Sequence, residues 1–161
     1  MKDPGNDRIL EEVYGLLNTS PVRYVVLTSG AEVRDDLDRK VFAFYERWLQ
    51  QEDESRTAIA GFLRDHGFFP GAGSWPLELS HWNYAGAAHL LGGVISRSER
   101  LLDRIQELEA ELAPVPEVEA LMDIAIRTEE GFMEQAKALL AERPATAPQP
   151  ARIKGTSAAK W

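Results

Sequence analysis

The chain has 161 residues, 44% hydrophobic and 27% charged, the length and composition of one globular domain with a core of its own. A net charge of −8 argues against nucleic acid or an anionic membrane as partner, and no apolar run approaches the ~18 residues of a membrane span. There is no cysteine, so disulfides, thiolate metal sites and cysteine nucleophiles are excluded. The opening MKDPGND lacks the basic and apolar regions of a signal peptide, so a cytoplasmic protein is expected.

Four helical segments are predicted, and no strand pattern competes with them. The first runs from about Asp7 to Leu27, with Ile9, Val13, Leu16, Leu17, Ser20 and Tyr24 at helical spacing. Pro21 lies inside it and predicts a kink or break near Thr19 and Ser20. The second runs from about Asp35 to His66. Its inward stripe reads Leu37, Val41, Phe44 and Trp48, then Glu52 and Ser55, then Ile59 and Phe62. The third is placed from about Ser80, as N-cap, to Leu112, with Leu91, Ile95, Ser98, Leu102, Ile105 and Leu108 inward. The fourth runs from about Val118 to Glu142, with Met122, Ala125, Glu129, Phe132 and Ala136 inward.

The connections set directions. APVPE (113–117) is a tight, proline-set turn, and TSGAEVRDD (28–36) is also short, so each joins antiparallel neighbours. The segment GFFPGAGSWPLEL (67–79) is different. Extended, it spans at most ~45 Å, about the length of a 30-residue helix. It can run the length of the molecule and set the third helix parallel to the second, with Phe68, Phe69, Trp75 and Leu77 laid against the flank. Phe42, Phe44, Tyr45 and Trp48 are read as core or as a subunit contact, which makes a homodimer the expected assembly.

From Pro144 onward the composition shifts to Pro, Ala and basic residues with no acidic one. The expected organisation is a helical domain over 1–143 and a disordered tail over 144–161. ARIKGTSAAKW reads either as a solubilising end or as a tethered recognition peptide for a protein partner. In the second reading Trp161 is the apolar anchor and Arg152, Lys154 and Lys160 supply charge.

Three predicted helices interrupt their apolar stripes at a similar height, at Glu52 and Ser55, at Ser98 and Glu99, and at Thr128 with Glu129 and Glu130. Carboxylates inside a helix bundle are costly unless protons, cations or hydrogen bonds neutralise them. Two readings stand: a carboxylate layer in the core, or carboxylates on helix flanks pointing into water.

In ILEEVYGLL with SPVRYVV, in EDESRTAIAGFLRDHGFFPGAG and in LSHWNYAGAAHLLGGVISRSERLLDRI the chain resembles the ferritin-like superfamily, in particular short bacterial proteins related to bacterioferritin and rubrerythrin. The resemblance covers roughly residues 8–140. It implies an all-α, ferritin-like four-helix bundle, two antiparallel helix hairpins joined by a long crossover between the second and third helices. It also implies a dimetal site held by a Glu from each of two helices and a Glu-x-x-His from each of the other two. Carried onto this chain, Glu52 is present but Ser55 stands at the His position. In the fourth helix Glu129 leads to Phe132 and Glu130 to Met133, again without His. Leu17 stands where the first helix would supply its Glu, with Glu12 about a turn away, and the third helix keeps Glu99.

The expectation is a non-enzymatic binding or interaction protein with a vestigial dimetal site and no cofactor. The alternatives are an iron or manganese oxidase or ferroxidase with a carboxylate-only site at Glu52, Glu99, Glu129 and Glu130, or a cargo protein docked through its tail by the resemblance to encapsulated relatives. His66, His81 and His89 have no i,i+3 or i,i+4 pairing, so no helical zinc site is read, and GAGS (71–74) is not a phosphate loop.

Overall fold

The computed structural model describes residues 3–142. Helix α1 spans Pro4–Asn18, α2 Pro21–Leu27, α3 Asp36–Asp65, α4 Leu91–Ala110 and α5 Pro116–Glu142, with a short 3-10 helix over Leu77–Trp82. The described residues are all-α; the single β-bridge pairs Glu32 with Gly86. The tail, and with it the roles expected for Arg152, Lys154, Lys160 and Trp161, lies outside the described residues. Among the described residues no helix is long and apolar enough to cross a membrane.

Local chemistry sets the helix ends. Asp3 caps α1 through the N–H groups of Gly5 and Asn6, and Asp35 caps α3 through that of Asp38. The expected kink before Pro21 is a full break. Thr19 closes α1 by returning both its N–H and its hydroxyl to the Gly15 carbonyl, and the Ser20 hydroxyl caps α2 by accepting from the Arg23 N–H at 3.1 Å. Helix α3 ends at His66, and Gly67 follows with φ 82°, a conformation that a side chain would strain.

The third predicted helix starts ten residues later than its Ser80 cap implied, at Leu91. The N–H groups that a helix over 83–90 would use have other acceptors. The Tyr84 N–H donates to the Ser29 carbonyl at 2.8 Å, the Ala87 N–H to that of Glu32 at 2.9 Å, and the Ala88 N–H to Asp38 Oδ1 at 2.8 Å. Tyr84 adopts φ 61°, which no helix admits. Tertiary hydrogen bonds to the 29–38 segment therefore hold this stretch out of the helix expected from Ser80.

Contacts between helix ends give the chain directions. His66 at the end of α3 meets Asp7 at the start of α1 (2.9 Å), and Ser20 before α2 meets Glu52 in mid-α3, so α1 and α2 run against α3. Ala88 enters α4 beside Asp38 at the start of α3. Past the far end of α4, Ala113 exchanges two hydrogen bonds with the Asn6 side chain (2.9 and 3.1 Å). Helices α3 and α4 thus run the same way. Helix α5 returns, pairing Gln106 with Glu130 and ending with Glu142 on Lys40 at 2.8 Å.

The connection that makes this possible packs differently from expectation. Phe68 is partly buried, and Trp75 sets its ring edge-on to Tyr24 (5.5 Å) while its indole N–H reaches the Ser20 carbonyl. Phe69 and Leu77, however, are 80% and 88% exposed. The three-residue turn of the 3-10 helix directs Leu79 inward and leaves Leu77 out, and Trp82 adds a partly buried ring.

The core is shared by all the long helices: Leu10 and Val13 of α1, Val41, Phe44, Trp48 and Ile59 of α3, Val94 and Ile105 of α4, Met122 of α5. Phe44, Tyr45 and Trp48, three of the rings on which a subunit contact was expected, lie inside this core, and Phe42 is partly buried against it. Burial raises the Tyr45 phenol far above its ordinary range, with Asp38 adding to the shift, and its hydroxyl donates to the Ala87 carbonyl at 2.9 Å.

Candidate functional site

Two carboxyl groups enter this core midway along α3 and α5. Glu52 and Glu129 are 2% and 1% exposed, and each is held by one donor. The Ser20 hydroxyl donates to Glu52 Oε1 at 2.5 Å, and the Trp48 indole N–H donates to Glu129 Oε2 at 3.1 Å. Sequence spacing explains the second contact. Trp48 lies four residues before Glu52 on α3, one turn along the same inward face, and its ring stacks on Phe132 of α5 at 5.8 Å and 9°.

The other two carboxyl oxygens, Glu52 Oε2 and Glu129 Oε1, meet no N–H or O–H donor from the rest of the protein. The two carboxyl groups instead lie close enough for each to act on the other's titration. Two buried carboxylates side by side repel each other, which favours a proton on one of them. Burial raises the pKa of both. For Glu52 the neighbouring Glu129 adds to the rise, while Ser20 opposes it. For Glu129 its contacts with Glu52 and Trp48 oppose the effect of burial. Burial and the neighbouring carboxyl therefore favour the neutral acid at Glu52, while Glu129 keeps the Trp48 indole as its donor.

The hydroxyls of Ser55 and Ser98 are also buried and without partners. Ser55 stands one turn after Glu52, and Ser98 sits at the inward position of α4 beside Glu99. Glu99 itself is exposed and meets Lys137 at 3.4 Å, and Glu130 is exposed and accepts from Gln106 at 3.2 Å. The four carboxylates read from the sequence thus divide into a buried pair, Glu52 and Glu129, and two on outer faces. Glu12 faces outward as well, paired with Arg104 at 2.8 Å, while Leu17 is buried.

This donor set does not fit the dimetal centre that the resemblance implies. That centre needs four carboxylates and two imidazoles, and the layer offers two carboxyls, each already holding a protein donor. His66 stands at the end of α3, bonded to Asp7, and His81 and His89 are exposed. What the arrangement does chemically is favour the protonated acid at a carboxyl pair closed to water. Sequence reasoning missed Ser20 and Trp48 as its donors, although both were read as inward-facing.

Ser20 serves α2 and Glu52 at once, so its removal has two costs. Ser20→Ala is expected to lower stability by about 2–3 kcal/mol, from the lost helix cap and the unpartnered Glu52 oxygen together. Denaturant unfolding measures this, and a loss below about 0.5 kcal/mol would mean that neither bond matters in solution.

No family model, curated protein or solved structure matches the chain.

Proposed function

We propose that the chain is a ferritin-like four-helix bundle, with α1–α2 against α3 and α4 against α5 as its two hairpins, acting as a non-enzymatic binding or interaction protein. Its dimetal centre is reduced to a carboxyl pair. The observation that supports this reading is the burial of Glu52 and Glu129, each on a protein donor, where the resemblance would place cations. Ser55, Phe132 and Leu17 occupy the other ligand positions, and Glu99 is turned to Lys137. Imidazole and carboxylate donors carry most of the affinity of such a site for iron, and too few remain.

Metal analysis of protein purified without chelator tests this. Iron and manganese are expected far below one equivalent per chain. Stoichiometric metal that disappears in Glu52→Ala would overturn the reading. It would favour the alternative, an iron or manganese protein with an all-oxygen site, for which the unpartnered hydroxyls of Ser55 and Ser98 speak.

A further inference from the structure

The outer face of α3 carries a trough of about 720 Å³ beside α2. Val26, Leu49 and Ala58 line its apolar part, and Glu46, Asp53 and Glu54 stand among them. Asp53 is engaged by Arg23 and Arg56, whereas Glu46 and Glu54 meet no cation among the described residues. An apolar trough with unneutralised carboxylates selects a basic partner with an apolar anchor. A second copy presenting the same face would set these carboxylates against their own kind.

The chain itself contains a segment of the selected kind. Residues 151–161, ARIKGTSAAKW, hold Arg152, Lys154, Lys160 and Trp161 and no acidic residue. The geometry makes it available. Helix α5 ends at Glu142, whose carboxylate pairs with Lys40 near the start of α3 at 2.8 Å. The far end of the trough, at Thr57 and Ala58, lies ~26 Å along the helix from Lys40 at 1.5 Å per residue. Residues 143–161 span up to ~65 Å when extended, ample for the path.

We propose that the trough between α2 and α3 takes the basic 151–161 segment of the same chain, with Trp161 as the apolar anchor and Glu46 and Glu54 as its charge partners. A partner that binds this segment would then compete with the chain's own surface, and attachment within one chain raises the effective concentration of the segment at the trough.

Because the chain has no cysteine, a disulfide probe can be placed cleanly. Thr57→Cys with Ala159→Cys, both in the full chain, is oxidised under dilute conditions and followed by non-reducing electrophoresis. The expected result is a disulfide within one chain, formed about tenfold or more faster than in the same protein carrying Glu46→Lys and Glu54→Lys. Equal rates in the two proteins, or a disulfide that joins two chains instead of closing one, would overturn the proposal.

Discussion

Trp48→Ala is expected to be the most damaging single substitution in the chain. The indole is fully buried, so its truncation leaves a cavity and removes transfer free energy, together about 3–5 kcal/mol. It also strips Glu129 Oε2 of its only donor, which adds about 1–3 kcal/mol for a buried acceptor left unpaired. Against a total of about 5–15 kcal/mol for a domain, this takes about a quarter of the stability or more. Trp48→Phe separates the two contributions. It keeps a ring to stack on Phe132 and removes the N–H, so its loss is expected to be the smaller part, about 1–3 kcal/mol. Denaturant midpoints of the two variants decide the matter. If phenylalanine proves as damaging as alanine, the bond to Glu129 outweighs the packing.

The second large effect is a dependence on pH of unusual sign for an acidic protein. An unfolded Glu titrates near its ordinary pKa of about 4.3, whereas folded Glu52 holds its proton to much higher pH. Below the unfolded pKa both states carry the proton, and the stability from this group is fully present. As pH rises above it, the unfolded chain releases a proton that the folded one retains, and stability falls by about 1.4 kcal/mol per pH unit. The fall stops once the folded pKa is passed. Glu129, also raised, adds in the same direction. Glu52→Gln replaces the neutral acid with a permanently neutral amide. Its unfolding free energy is therefore expected to lose Glu52's share of this slope and to exceed that of the wild type increasingly from pH 5 upward. Parallel pH profiles for the two proteins would show that folded Glu52 does not hold its proton.

Much of the layout was legible in residue types at helical spacing. The inward stripe of α3, including Glu52 and Ser55, is the buried one, and Pro21 marked the break between α1 and α2. The errors have identifiable causes. The third helix reads as starting from Ser80, but Ala87 and Ala88 give their N–H groups to Glu32 and Asp38, about fifty residues earlier. No local pattern reports such bonds. Neighbouring residues on a helix differ by 100°, so Ser98 and Glu99, like Glu129 and Glu130, can exchange inside and outside with a small rotation of the stripe. Packing chose Ser98 and Glu129. Nor does any sequence rule connect the hydroxyl of Ser20 with a carboxyl 32 residues away.

The return of the chain from the end of α3 to Asp38 has a consequence for how the protein acquires its structure. The α4–α5 pair is joined by a short turn and can form through local contacts alone. Its seat against α3 depends on Ala88 reaching Asp38 and on Ala113 reaching Asn6, pairs separated by 50 and 107 residues. Such contacts demand closure of long loops before they give anything back, and high contact order slows folding. The burial of Glu129 against Trp48 waits on the same docking, so protonation of the carboxyl pair should be among the last events of folding, and alkaline pH should act on the rate of that final step.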